Sequence, residues 1–147
     1  MTDIVKQIND ALEARVAAKI GTSYKELAFK LNVAANAWSG SNKNYGVIPK
    51  EAVSINTITN SYTADQPFEV ILTHGYVNNQ NDKEQIAKQF ILYEKIDLII
   101  KDLLPSKLGL NSIVLKTGPF TIQETEFIDD SIVVQRLQLT VQYRQPT

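Results

Sequence analysis

The chain contains no cysteine, so disulfides, thiolate catalysis and cysteine-ligated zinc are excluded together. It has one histidine, His74, so any charge-relay chemistry would have to use that side chain. No run of residues approaches the roughly 18 apolar positions of a membrane-spanning helix. Met1-Thr2-Asp3-Ile4 has neither the basic start nor the apolar core of a secretory signal, so none is expected. A surplus of one charge sign is missing as well: 15 basic against 16 acidic residues leave a net charge of −1. No clustered Lys/Arg stripe could neutralise several phosphates, which argues against duplex DNA binding as the main role and against an anionic membrane surface. The expected setting is a cytosol-like environment, or something assembled there.

What the chain does have is an ordinary globular balance, with 44% apolar and 21% charged residues in 147 positions. That length predicts a single domain over 1–147, able to bury about two thirds of the surface its unfolded form exposes. Ile4, Ile8, Leu12, Val16 and Ile20 recur every four residues, a helical period over about 3–20. Thr2 or Asp3 can cap its first amides, and Gly21 suits a left-handed residue after its end. The period then changes to two: Leu27, Phe29, Leu31 and Val33 alternate with smaller or polar residues, as in a half-buried strand. Ala34 to Tyr45 is small and polar, with Trp38 at its centre, and reads as a long loop. Trp38 either covers the core edge or anchors a partner, since tryptophan is enriched in interface anchors.

Residues 44–104 carry the clearest local signals. Asn44-Tyr45-Gly46-Val47-Ile48-Pro49 reads as a tight polar turn. A Thr- and Asn-rich strand over 53–62 follows, and after Pro67 a strand with Phe68, Val70, Leu72, His74 and Tyr76 on one face. Asn78 to Asn81 is a turn by composition, and Asn81 with Glu84 resembles a capping box opening a second helix. Ile86, Phe90, Tyr93, Ile100 and Leu104 form its apolar stripe, and Pro105 ends it. Ile91, Leu98, Ile99 and Leu103 widen that surface, which suggests a helix contacted on two sides, the second contact being another subunit. Strands are expected over 112–116, with a turn at Gly118-Pro119, then over 120–127 and, after a turn at Asp129-Asp130, over 132–144. The order α-β-β-β-α-β-β-β predicts an α+β fold: an antiparallel sheet, with mixed pairing allowed, and two helices packed on one face.

No catalytic constellation accompanies these elements. His74 has no Gly-x-Ser-x-Gly nucleophile signature to serve, so it reads as a strand-end side chain, and turnover lost on His74→Ala would be needed to revive a hydrolase. Gly21-Thr22-Ser23-Tyr24-Lys25 lacks the order that cradles phosphates. Glu124, Glu126, Asp129 and Asp130 concentrate carboxylates, but without the glycine and spacing of a calcium loop they read as a solvated hairpin turn. They can also pair with Lys43, Arg136 or Arg144 across an interface, which would give register more than affinity. No metal, cofactor or enzymatic activity is expected.

The tracts Asn44 to Pro49, Phe68 to Thr73 and Tyr76-Val77-Asn78 resemble those of small tailed-bacteriophage proteins. Leu92-Tyr93-Glu94-Lys95-Ile96 and the ending Val141-Gln142-Tyr143-Arg144 add to the likeness, which covers about 27–144 and is nearest in kind to the tail terminator, or tail-completion, family. That resemblance implies a structural α+β virion protein of the neck or tail, assembled in the host cytoplasm. It would form a homo-hexameric ring that caps the tail tube and joins it to the head connector. DNA would pass through the lumen without specific binding. The partners implied are the tail-tube protein and head–tail connector proteins, with no membrane. Candidate interface residues are Trp38, Lys43, Tyr45, Glu124, Glu126, Asp129, Asp130 and Arg136. The alternatives are a head–tail connector or tail-tube subunit and, in a different class, a small ligand-binding α+β domain.

Overall fold

Four-residue spacing builds the first helix, α1 (Asp3–Ile20), whose Ile4, Ile8, Leu12, Val16 and Ile20 are all buried. Residues one turn apart share a face, so this stripe lays α1 on the sheet. Gly21 follows at φ 97°, the left-handed position after the helix end. The computed structural model describes residues 3–36, 43–51, 54–76, 82–128 and 132–146. Trp38, the Asn78–Asn81 turn, the Asp129–Asp130 turn and the caps at Thr2 and Asn81 lie outside the described residues.

The strand expected over 27–33 does not form. A two-residue strand, β1 (Lys25–Glu26), pairs in parallel with β2 (Lys43–Pro49), and the chain then turns irregular before a 3-10 helix at Val33–Ala35. Leu27 and Val33 are buried, whereas Phe29 is 55% and Leu31 89% exposed. Alternation here records two plugs and two solvent-facing side chains, not a pleat. Asn36 takes the place of a ladder partner: Phe29 N–H donates to Asn36 Oδ1 (3.0 Å), and Asn36 Nδ2 donates to the carbonyls of Phe29 (3.0 Å) and Val33 (2.8 Å). Asparagine competes with strand pairing in this way.

The turn expected at Asn44 to Pro49 is instead the strand β2, antiparallel to β4. Its glycine serves close approach, not a turn. A Cβ on Gly46 would lie 3.1 Å from Lys30 Cγ and 3.4 Å from Leu27 Cδ1. Strand β3 (Ser54–Ile58) joins β4 (Ser61–Gly75) through Thr59 and Asn60, the latter at φ 64°. Pro67 falls within β4 rather than before it, and its carbonyl accepts from Lys50 N–H at 2.9 Å. Helix α2 (Asp82–Leu103) ends just short of Pro105. The two strands expected over 112–127 form one edge strand, β5 (Val114–Ile122), and a short β6 (Glu126–Ile128). The Gly118-Pro119 turn is replaced by a cis peptide and a register slip between Thr117 and Phe120 inside β5.

With β7 (Ile132–Pro146) the sheet has seven strands in the order β1-β2-β4-β7-β5, with β3 on β4 and β6 on β7. Among the described residues only the β1–β2 pair is parallel, so the fold is α+β with a mostly antiparallel, mixed sheet. Both helices cover one face, where Val47, Phe68, Val70, Leu72, Leu137 and Leu139 meet Leu12 and Val16 of α1 and Leu92 and Ile96 of α2. On the back, Leu27 and Val33 close a smaller cluster with Ile48, Ile71, Ile132 and Val134.

Candidate functional site

Helix α2 carries two apolar stripes, and the fold uses one. Leu92, Ile96, Ile99 and Leu103 are buried against the sheet. The stripe that the spacing singles out is mostly outside: Ile86 is 43%, Phe90 60%, Tyr93 38% and Leu104 63% exposed. Tyr93 follows Leu92 by one residue, about 100° around the helix, so both stripes have helical period and periodicity alone cannot rank them. The unused stripe has a defined neighbour. Arg15 and Lys19 of α1 reach Asp102 at 3.4 and 3.9 Å on the far side of α2. On the near side, Gln89 Nε2 donates to Thr125 Oγ1 (2.7 Å), and the Tyr93 and Thr125 hydroxyls are 3.1 Å apart. The exposed stripe therefore looks toward the β5–β6 edge. There Ile122 and Phe127, 52% and 47% exposed, sit opposite Leu137 and Val133 of the helix-side core and extend the patch.

Thr125 lies in the break between β5 and β6 and is pinned from below. The fully buried Gln135 accepts from its hydroxyl at 2.6 Å and donates to the Gln123 carbonyl at 2.6 Å. Both ends of the buried Gln135 amide are thereby hydrogen-bonded, as burial demands. The apolar patch thus surrounds a rigid polar centre.

The back face holds charge instead. Arg136 donates from Nη1 to Glu69 Oε1 (2.7 Å) and from Nε to Glu126 Oε1 (2.9 Å), while Lys50 Nζ is 3.6 Å from Glu69 Oε2. Burial opposes the guanidinium charge, but the hydrogen bonds to Glu69 and Glu126 outweigh it, and Arg136 holds its proton more tightly than usual. Two of the expected interface residues, Arg136 and Glu126, are thereby engaged within the chain, tying β4, β7 and β6 together. Glu69 is the residue that sequence reasoning missed. Its signal was a carboxylate on the second face of the Phe68–Thr73 strand, a position that gains meaning only when Arg136 is known to lie across β7.

Lys43 and Tyr45 sit near the opposite edge. Lys43 lies over the Tyr24 ring, 6.0 Å from its centroid. Tyr45 packs on the main core, and burial raises its phenol pKa, with the Glu26 and Glu13 carboxylates adding to the effect. Beside them Lys30 bridges Glu13 (2.7 Å) and Glu26 (2.5 Å), fastening the 27–32 segment to α1. Among the described residues Lys25, Lys43 and Glu124 make no ion pair. The expected residues are thus divided between two edges of the sheet and are not gathered into one site. Trp38, Asp129 and Asp130 lie outside the described residues.

His74 is buried at the end of β4, its Nδ1 2.9 Å from the Gly75 carbonyl, and burial lowers its pKa. Among the described residues no group of three or more His, Asp or Glu is placed to hold a metal ion. No helix among the described residues is long and apolar enough to cross a membrane. Two hollows among the described residues are open. One of about 530 Å³ is lined by residues 26–32, and one of about 430 Å³ by Val5, Lys6, Asn9 and Pro49.

These features define an α+β sheet domain whose distinguishing surfaces are two opposite sheet edges carrying exposed apolar side chains and charges without ion-pair partners among the described residues. No protein-family model matches the sequence, and no curated protein matches it at a significant level. In three dimensions the chain is similar to a chain in the virion of a native gene transfer agent particle, with a TM-score of 0.55. The two are 11% identical, and the superposition covers 93% of this chain and 94% of that one. At that identity the likeness is one of fold, and it runs nearly end to end.

Proposed function

We propose that this protein is a structural virion component of a phage-like particle, and within it a tail terminator: a homo-hexameric ring in the neck that caps the tail tube and joins it to the head connector. The observation that carries the reading is the end-to-end likeness to a chain of a gene transfer agent virion, 93% of one chain on 94% of the other. A partial overlap would mark a common submodule; two whole chains of matching extent favour equivalent parts. The tail-terminator assignment draws on the sequence resemblance over about 27–144. It is supported by the apolar surface left on α2, since a subunit destined for assembly leaves contact surface uncovered in the isolated chain. The near-neutral charge of −1 suits a ring through which DNA slides. Assembly takes place in the host cytoplasm, with the tail-tube and connector proteins as neighbours.

Deleting the gene and imaging the particles tests this. Terminator loss yields overlong tails or separate heads and tails, restored by the wild-type chain supplied in trans. Joined particles with tails of normal length overturn the proposal. Heads that retain no neck instead assign the chain to the connector, and absence of tubes assigns it to the tube.

A further inference from the structure

We infer that copies of this chain join head to tail, the β5–β6 edge and outer side of α2 of one copy docking on the β1–β2 edge and 27–32 segment of the next. Self-assembly as such belongs to the function proposed above, on which this inference rests; the two surfaces come from the geometry.

The first surface is the patch of Ile86, Phe90, Tyr93, Ile122 and Phe127, each 38–60% exposed. Aromatic and aliphatic side chains of these sizes expose on the order of 400 Å² at such fractions, comparable with the largest patch a monomer normally tolerates. It would supply about half of the roughly 800 Å² per partner that a stable contact needs. The second surface holds Phe29 and Leu31, the latter lining a hollow with Ile48 and Pro49.

Register places the two surfaces at the same level of the sheet. Phe127 is opposite Val133, Val133 opposite His74, and His74 opposite Lys43. Ile122 leads in the same way through Leu137 and Val70 to Val47. Neighbouring copies can therefore meet edge to edge without stepping along the strands. The first patch lies on the helix side, and the 27–33 segment closes the back-face cluster. Overlap of the two is thus between opposite faces, and each copy turns relative to the last. Such a heterologous contact closes into a ring when the rotation divides a full turn.

Charge complementarity favours a second copy as the occupant. Lys25 and Lys43, without ion-pair partners among the described residues, flank the second surface, and Glu124, likewise without one, flanks the first. Lys25 pairs with Asn44, whose row runs through Thr73 and Val134 to Glu126, two residues from Glu124. Edge contact therefore brings the lysines of one copy near the glutamate of the next, which sets register and direction.

Two blocked variants test the assignment by sedimentation velocity over a concentration series. Phe90→Glu with Phe127→Glu blocks the first surface; Phe29→Glu with Leu31→Glu blocks the second. All four positions are largely solvent-facing, and unchanged circular dichroism and melting confirm folding. The wild type forms closed oligomers, each variant alone is monomeric, and an equimolar mixture forms a one-to-one dimer that grows no further. Each variant keeps one intact surface, so this rescue is specific to a heterologous contact. Lys25→Glu weakens assembly by roughly tenfold, and Glu124→Lys in the same chain restores it. Wild-type-like assembly by either blocked variant overturns the inference, as does a mixture that stays monomeric or a charge swap that restores nothing. A wild-type chain that is monomeric yet co-sediments with tail tubes also overturns it, the tube then being the occupant. If the deletion gives overlong tails while a blocked variant still assembles, the edge assignment falls and the tail-terminator reading stands.

Discussion

On the helix side of the sheet, Phe68, Val70, Leu72, Leu137 and Leu139 are sealed beneath two helices, whereas on the back the same two strands present Glu69, Arg136 and Gln138. Strands β4 and β7 pair along fifteen positions, so every residue opposite another shares its face. One ladder thus produces a dry face and a wet one. The dry face is stabilised by area removed from water and tolerates almost no charge. Among the described residues the back is covered at one end, by Leu27, Val33 and their neighbours, and polar groups on the rest of it pair across strands. Arg136 with its two carboxylates and the Gln123–Gln138 hydrogen bond at 2.9 Å do this. A face left half open lets the domain lie against something else; a face sealed by helices holds the domain together.

Core truncation tests the comparison most severely. Phe68→Ala on the dry face removes a fully buried ring and should destabilise the fold by about 3–5 kcal/mol in urea denaturation. Thr140→Val, at a half-buried back-face position in the same sheet, should stay within about 0.5 kcal/mol. Similar losses for the two would erase the distinction between the faces. Charge removal on the back comes next. Arg136→Met leaves Glu69, its side chain only 9% exposed, with Lys50 at 3.6 Å as its remaining cation, and should cost about 2 kcal/mol. Adding Glu69→Gln should recover part of that loss, because the penalty belongs to the stranded carboxylate. If the two losses simply add, the pair is not coupled and the back-face account fails.

How much of this was legible in the sequence follows the same division. Helix α1, the body of β4, the extent of α2 and the final strand were readable because each buries one periodic stripe against the dry face. The misreadings fall where a residue's role depends on what lies across from it. Gly46 reads as a turn until Lys30 is seen lying against it. Phe29 and Leu31 read as a strand until Asn36 is seen taking the backbone bonds. The two stripes of α2 are both visible in the sequence, but only the sheet's position decides which is buried, so the spacing does not show that the Ile86–Phe90–Tyr93 stripe is the exposed one. The suggestion of a second contact on that helix rests on the same surplus, now located beside Thr125. Of the expected interface residues, Arg136 and Glu126 find each other within the chain, a pairing that charge clustering along the sequence cannot distinguish from one between chains.

The smallest expected effect probes the one titratable imidazole. His74 shares the helix-side face of β4 with Leu72, is opposite Lys43 on β2, and is buried. Burial lowers its pKa, the Gly75 carbonyl partly opposing this, and the positive charges of Lys88 and Lys43 lower it further. The native state therefore holds the ring neutral at pH values where the unfolded chain, titrating near 6.5, already binds a proton. With more protons bound in the unfolded state, stability rises with pH across that window. The contribution is complete above about pH 6.5 and is lost as pH falls from there through the depressed native value. His74→Gln keeps a polar group near the Gly75 carbonyl and removes the titration. Melting temperatures measured between pH 7.5 and 5 should fall more steeply for the wild type than for the variant, although the carboxylates common to both give each curve some slope. Parallel curves would mean that protonated His74 is tolerated on the helix side. In that case the two faces differ in how much apolar surface they bury and not in how they treat charge.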